Sequence, residues 1–135
     1  MRVVLDTNVV IAAFAARGLC AEIFEVCLSE HTVILSEYIL SEIKEKLAEK
    51  IKLPKNIVKN IDAYLRDSAE IVVPANFEKP VCRDRDDDNI IATALSGKVK
   101  FIITGDDDLL SLKNYKDIAI ITPKDFWLKL REENR

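Results

Sequence analysis

The chain begins Met1-Arg-Val-Val-Leu-Asp6-Thr-Asn-Val-Val10, and this stretch decides the fold. Residues 2–5 are mostly apolar and β-branched, which is typical of a strand buried on both faces of a parallel sheet. A carboxylate, a hydroxyl and an amide follow directly, in Asp6, Thr7 and Asn8. Open α/β sheets bind their ligands at the carboxyl ends of the strands. The stretch therefore predicts a parallel sheet with a polar site at the end of its first strand.

The rest of the chain alternates between segments with the periodicity of strands and of helices. Four more strands are predicted, at 32–35, 70–73, 100–104 and 118–121. Helices are predicted at 8–16, 19–29, 37–50, 54–69, 88–96 and 107–112, with a last one after Thr122-Pro123. This alternation predicts an α/β fold of three layers (α/β/α), with a central parallel sheet of about five strands. No repeat or linker divides the chain, so we expect a single domain over residues 1–135.

Composition limits the class of protein. A chain of 135 residues, 49% hydrophobic and 32% charged, has the composition of a globular protein with one core. No apolar run approaches the roughly 20 residues of a membrane span, and Arg2 leads directly into a strand, so we expect a cytoplasmic protein without membrane contact. The net charge of −3 argues against broad electrostatic binding of nucleic acid. It does not exclude a nuclease, because bound cations would reverse the charge of an acidic site.

Asp6 and Glu42 are two of four carboxylates that the pattern places near one edge of the sheet. A charge directly after a buried strand is unfavourable unless it is exposed, paired or bound to a metal. Asp6 could instead cap the next helix, although Thr7 and Asn8 could do so equally. A rotation of 100° per residue puts Glu42 just outside the apolar stripe of helix 37–50, at the rim of its buried face. Glu42 is therefore either a ligand or a solvent-exposed helix residue.

Asp88 and Asp106 are the other two carboxylates. Asp88 lies on the docking side of helix 88–96, at the positive end of the helix dipole. Capping is the alternative role, but the acids from Asp84 onward are more numerous than capping requires, which leaves the position of the third ligand open within 84–88. Asp106 follows the fourth strand after a single glycine, and Asp108 is an alternative ligand beside it.

Converging carboxylates require cations. Two like charges ~5 Å apart at an effective dielectric of ~20 repel by roughly 3 kcal/mol, so four would have to protonate or bind metal. Oxygen ligands select Mg²⁺ or Mn²⁺ rather than Zn²⁺. His31 is the only histidine, and the three cysteines lack Cys-x-x-Cys spacing, so nucleophilic or histidine-based catalysis has little to work with. The metals would then activate water, as in two-metal phosphodiester hydrolysis.

Four short motifs resemble those of the PIN-domain family in order and spacing, over essentially the whole chain. They are Leu5-Asp6-Thr7-Asn8-Val9, Ser36 with Ile39-Leu40-Ser41-Glu42-Ile43, Asp88-Asn89-Ile90-Ile91-Ala92, and Ile103-Thr104-Gly105-Asp106. The sequence looks most similar to the single-domain prokaryotic branch that is VapC-like, the toxin component of toxin–antitoxin systems. Toxicity depends on a genetic context that one chain does not show.

The resemblance implies a PIN fold with Mg²⁺- or Mn²⁺-dependent endoribonuclease activity on RNA, a frequent homodimer and often a cognate antitoxin. It implies that the catalytic and metal-binding acids are Asp6, Glu42, Asp88 and Asp106. It implies supporting polar roles for Asn8, Ser36 and Thr104. The run of acids at 84–88 departs from the family pattern and makes Asp84 an alternative third ligand.

RNA would require cationic contacts around the acidic site. Arg83 and Arg85 are the candidates for phosphate contacts, with Lys79 a weaker one, although these charges could equally pair among themselves. Two other functions stay open. A PIN scaffold could bind RNA or a partner without cleaving. A receiver-type phosphoacceptor domain would need an acidic pair after the first strand and an aspartate after the third, where Pro74 stands.

Overall fold

A six-stranded sheet forms the centre of the computed structural model, which describes residues 1–76, 81–82 and 84–133. The strands are β1 Arg2–Leu5, β2 Thr32–Leu35, β3 Glu70–Ile71, β4 Phe101–Ile103, β5 Asn114–Tyr115 and β6 Ile118–Ile121. Their order across the sheet is β3-β2-β1-β4-β6-β5, and every pair is parallel except β5 with β6. The predicted α/β class with a central, mostly parallel sheet is confirmed.

The central strand β1 is the one that the opening sequence predicts. Val3, Val4 and Leu5 are completely buried, and Val3 lies in register with Val33 of β2 and Phe101 of β4. The apolar run Val3-Val4-Leu5 suits this position because both faces of the strand contact the core here. Asp6 therefore leaves the sheet at the middle of its carboxyl edge.

Seven helices cover this sheet in the described part of the chain. They are α1 Thr7–Ala15, α2 Leu19–Glu30, α3 Glu37–Glu49, α4 Lys55–Ser68, α5 Arg85–Ser96, α6 Asp107–Leu110 and α7 Pro123–Glu133. Connections from β1 to β2 and from β2 to β3 run one way across the sheet, and the connection through α5 returns to β4 on the far side of β1. Because parallel crossovers are right-handed, helices of the outward and return connections cover opposite faces. None of the described helices is long and apolar enough to cross a bilayer.

Two features of the fold differ from the prediction. Strand β5 has only two residues, too few for an alternating pattern, and it pairs with β6 through a turn in which Lys116 has a φ of 53°. Helix α5 begins at Arg85, three residues before the predicted start at Asp88. The earlier start follows from Asp84, whose side chain accepts a hydrogen bond from the Asp86 amide at 2.9 Å and caps the helix.

Candidate active site

A cleft opens at the carboxyl ends of β1 and β4. The chain leaves β1 towards β2 and leaves β4 towards β6, on the other side, so this is the point where the direction of the connections reverses. The cleft has a volume of about 190 Å³, and it is lined by Asp6, Thr7, Asn8, Glu42, Lys46, Asp84, Asp86, Asp87, Ile90 and Asp106. Six of these side chains are carboxylates, and a single lysine is the basic residue among the described lining residues. The cleft is therefore strongly acidic.

Asp6 is held by a hydrogen bond from the neighbouring strand end. Its side chain is 8% exposed, and Oδ2 accepts a hydrogen bond from Thr104 Oγ1 at 2.7 Å. The same hydroxyl oxygen accepts from the Asp106 amide at 3.0 Å, so Thr104 links the two acids. Asp6 occupies the N-cap position of α1 but makes no capping hydrogen bond with its side chain, which removes the capping alternative. Burial raises the pKa of Asp6, and the hydrogen bond from Thr104 opposes that rise.

Glu42 enters the cleft from α3, at the rim that the helical rotation predicts. Its Oε1 accepts a hydrogen bond from Thr7 Oγ1 at 3.2 Å. Burial raises the pKa of Glu42, with a further rise from the negative charge of Asp86. One helical turn later, Lys46 donates a hydrogen bond from Nζ to Asn8 Oδ1 at 2.9 Å. Two side chains of α3 are thus fixed to the start of α1.

Asp87 is the more buried of the two α5 acids, Asp86 and Asp87, that line the cleft. It is 6% exposed, and its Oδ2 is a buried oxygen for which the described residues supply no hydrogen-bond donor. Burial raises the pKa of Asp87 to about 7, and repulsion from Asp106, Asp84 and Asp6 adds to the rise. A buried carboxylate oxygen without a donor is unfavourable unless a proton or a cation occupies the space beside it.

Asp88, which the sequence pattern predicts in the cleft, lies outside it in this structure. It does not line the cleft, and its Oδ1 accepts hydrogen bonds from the amides of Val81 at 3.0 Å and Cys82 at 2.7 Å. The rotation of α5 places Asp87 in the cleft and Asp88 towards the preceding loop. Asp87 lies three and four residues before Ile90 and Ile91, so it shares a helix face with them. Asp88 has the same spacing to Ile91 and Ala92, and this spacing was the reason for expecting Asp88 on the docking side. Because the apolar residues of α5 span a wide arc that includes the positions of both Asp87 and Asp88, that signal could not separate the two.

Asp106 and Asp108 complete the acidic group beside Asp87, and of these two only Asp106 lines the cleft. One carboxylate oxygen from each of Asp87, Asp106 and Asp108 lies within 4.8 Å of the others. Asp106 also caps α6, because its Oδ1 accepts from the Asp108 amide at 2.8 Å. Asp84 lines the cleft as well as capping α5. Capping and a ligand role are compatible here, since each carboxylate has a second oxygen.

The remaining predicted residues divide between the cleft and its surroundings. Asn8 and Thr104 contact the cleft acids or their neighbours directly. Ser36 is fully buried outside the cleft, where it caps α3 and accepts a hydrogen bond from Thr93 Oγ1 at 3.0 Å. Arg85 is exposed and does not line the cleft. The candidate contacts Arg83 and Lys79 lie outside the described residues.

Lys46 was not singled out from the sequence, and Asp86 was only one of several acids within 84–88 among which the position of the third ligand stayed open. Lys46 follows Glu42 by four positions, and this spacing places both on one face of α3. Asp86 accepts a hydrogen bond from the hydroxyl of Tyr38, which is close to Asp86 only because α3 packs against α5. The first residue could have been found by its spacing, whereas the second depends on a tertiary contact.

The donor set determines what the cleft can bind. Its carboxylate, hydroxyl and amide oxygens suit a hard divalent cation, and sulfur or imidazole ligands are absent from the described lining residues. His31 does not line the cleft, and its Nδ1 lies 3.1 Å from the amino group of Met1. The buried oxygen of Asp87 gives a cation a specific partner. The residues present therefore fit a divalent metal.

Three comparisons with known proteins agree with this architecture. A family model described as PIN domain matches residues 2–108. An uncharacterized protein of Methanocaldococcus jannaschii, MJ1680, is 32% identical over 141 residues that cover 93% of this chain and 89% of that protein. A chain in the crystal structure of VapBC2 from Rickettsia felis bound to a DNA fragment from their promoter matches with a TM-score of 0.63 and 15% identity, over 90% of this chain and 98% of that one. At that identity, the structural match shows the fold.

Proposed function

Since this chain belongs to the PIN-domain family, we propose that it is a metal-dependent endoribonuclease that hydrolyses phosphodiester bonds of RNA. PIN domains are generally nucleases, which supports a hydrolase. The observation that carries the proposal is the convergence of Asp6, Asp87 and Asp106 on one cleft, with a buried Asp87 oxygen that lacks a donor. Such a group of acids is stable at neutral pH only with cations or protons.

Mg²⁺ or Mn²⁺ is the cofactor that we propose. Asp87 and Asp106 would hold it, with Asp6, Glu42 and Asp108 as the further carboxylates within reach of the same cleft. When bound, a divalent ion supplies an activated water and stabilises charge on the leaving oxygen. The preference for Mg²⁺ or Mn²⁺ follows from the all-oxygen donor set.

The chain's own residues would orient these acids. Thr104 donates to Asp6 Oδ2, which leaves Oδ1 of Asp6 available to the cleft. Thr7 donates in the same way to one oxygen of Glu42. Donors that fix one oxygen of a metal ligand set the direction of the other, and such contacts commonly affect metal affinity strongly.

We also propose that the protein is a toxin with a cognate antitoxin and that it forms a homodimer. The structural neighbour belongs to VapBC2 of Rickettsia felis, bound to promoter DNA, and this likeness supports a partner of the same kind. Growth of a host that expresses the chain, with and without the gene product encoded beside it, tests the toxin role. Normal growth in both cases would count against it.

A receiver-type domain has less support than a nuclease. Strand β3 lies at the edge of the sheet and is followed by Val72, Val73 and Pro74 rather than by an acid. Asp6 is a single acid after β1, whereas a receiver requires a pair. A non-cleaving PIN scaffold keeps the same fold, and an activity assay separates it from the enzyme.

Cleavage of end-labelled single-stranded RNA tests the proposal. We expect products with Mn²⁺ or Mg²⁺ and none with EDTA, and we expect Asp6→Asn to lose at least ~100-fold in rate. Asp67→Asn, an exposed acid of α4, is the matched control and should cleave like the wild type. Undiminished cleavage in EDTA, or by Asp6→Asn, would contradict the metal mechanism.

A further inference from the structure

A second cavity adjoins the acidic cleft along α3. It has a volume of about 380 Å³ and is lined by Tyr38, Ser41, Glu42, Glu45, Lys46 and Asp86, a set that we name the α3 groove. Glu42, Lys46 and Asp86 also line the cleft, so the two cavities share a wall. The volume lies within the range of about 300–1,000 Å³ that is typical of small-molecule sites. A ligand that reacts in the cleft can therefore extend into the groove.

Lys46 stands on the shared wall. Its Nζ donates to the neutral amide of Asn8, and it does not take part in the three ion pairs of the described residues. It is also the only cation among the described residues that line either cavity. Its charge is consequently directed to the place where the cleft meets the groove, and no carboxylate of the described residues lies within 4.0 Å of Nζ.

Lys46 supplies a positive charge that RNA binding at this acidic site would require. RNA carries a negative charge at every nucleotide, and the carboxylates of the cleft and the groove repel it. Metal would neutralise the cleft, but the phosphates on either side of the reacting one need another cation. Lysine binds phosphate as a compact point charge, and Tyr38 adds an aromatic wall on which a base can stack.

Resting on the proposed function, we propose that Lys46 binds the RNA phosphate next to the scissile one and that the α3 groove receives the nucleotide attached to it. The hydrogen bond to Asn8 holds the ammonium in place before RNA binds. The hydrogen bond from the Tyr38 hydroxyl to Asp86 holds Tyr38 against the shared wall in the same way.

The alternative role for Lys46 is that of an internal counter-ion for Asp6 and Glu42. A counter-ion competes with metal, so its removal would tighten metal binding and leave RNA affinity unchanged. A phosphate contact behaves in the opposite way, because its removal weakens RNA binding and reduces the dependence of that binding on salt.

The experiment measures the binding of a fluorescently labelled single-stranded RNA to the full chain. Fluorescence anisotropy reports the binding, in the presence of Ca²⁺ and at a series of salt concentrations. We expect Lys46→Ala to weaken binding about tenfold and to lower the slope of log K against log salt by about 0.7. Lys46→Arg should retain most of the affinity, since it keeps the charge. Lys44→Ala removes a charge from the same helix outside both cavities and should match the wild type. If the alanine variant unfolds, Lys46→Gln replaces it with a side chain of similar length.

The outcomes separate this inference from the proposed function. Wild-type affinity and slope in Lys46→Ala would overturn the phosphate contact, and so would tighter Mn²⁺ binding with unchanged RNA binding. Binding that depends on Lys46 without any cleavage by the wild type would support the contact and remove the nuclease assignment. A wild type that neither binds nor cleaves RNA overturns both.

Discussion

Thr104 Oγ1 donates a 2.7 Å hydrogen bond to Asp6 Oδ2 across 98 positions of sequence, and this bond links the ends of β1 and β4. It is the contact that orients the most central acid of the cleft. Because the bond lowers the pKa of Asp6 against the effect of burial, its loss should make the acid harder to ionise and a weaker ligand.

We therefore expect Thr104→Val to reduce Mn²⁺ affinity by about 10- to 100-fold while preserving the shape of the side chain. Isothermal titration with Mn²⁺ measures this. Thr104→Ser keeps the hydroxyl and should bind metal like the wild type. Equal affinity in the valine and serine variants would show that the hydrogen bond does not matter for metal binding.

Asp87 and Asp88 form a matched pair, since they are adjacent acids with different surroundings. Mn²⁺ should raise the melting temperature of the wild type through binding linkage, which stabilises the folded state by about 2.7 kcal/mol at a metal concentration of 100 times Kd. Asp87→Asn should remove this rise. Asp88→Asn should retain that rise, because an amide oxygen can still accept from Val81 and Cys82. Thermal melts with and without metal compare them, and the reverse pattern would restore Asp88 as the ligand.

The stability of the metal-free protein should depend on pH through Asp87. Its pKa in the folded protein, about 7, lies above the value of ~3.9 expected in the unfolded chain. Its contribution to the free energy of unfolding is thus complete below pH ~4 and is lost as the pH rises through 7.

Asp87→Asn removes this loss, so in EDTA at pH 8 we expect it to be more stable than the wild type by about 2 kcal/mol. The two proteins should converge as the pH falls towards 4. Urea denaturation at several pH values measures the difference. A gap that does not change with pH would exclude Asp87 as the titrating group.

Ser36 should matter for stability rather than for the reaction. It is buried, caps α3 and accepts from Thr93, away from the cleft. We expect Ser36→Ala to lower the free energy of unfolding by about 1 kcal/mol, the usual effect of losing a cap, with unchanged Mn²⁺ affinity. Chemical denaturation measures the loss of stability, and a metal titration measures the Mn²⁺ affinity. If Ser36→Ala lost metal affinity but kept the stability of the wild type, Ser36 would have a role in metal binding.

Local sequence patterns were enough to predict most of the fold. The β-branched run at the start of the chain predicts a buried parallel strand, and the structure places it at the centre of the sheet. The apolar stripe of α3 predicts that Glu42 lies at the rim of the buried face, where it lines the cleft. The motif order also predicts the PIN-domain family, which the match over residues 2–108 confirms.

Three local expectations differ from the structure, each for its own reason. The start of α5 depends on which of several acids caps it, and the apolar face of that helix is wide enough to include both Asp87 and Asp88. Strand β5 is too short to carry a pattern, and it forms because β6 offers an edge beside it. Ser36 has the right residue type for a site, but helix packing directs it to Thr93 instead.

Period and residue type act over a few neighbouring positions, so they predict the alternation of strands and helices and a set of acids at strand and helix ends. Which of these acids meet depends on the packing of the whole chain. Asp6 and Asp106 come together because β1 lies beside β4, and Asp87 replaces Asp88 because of how α5 is rotated against the sheet. These distances are set by packing between segments far apart in the chain, which no local pattern encodes.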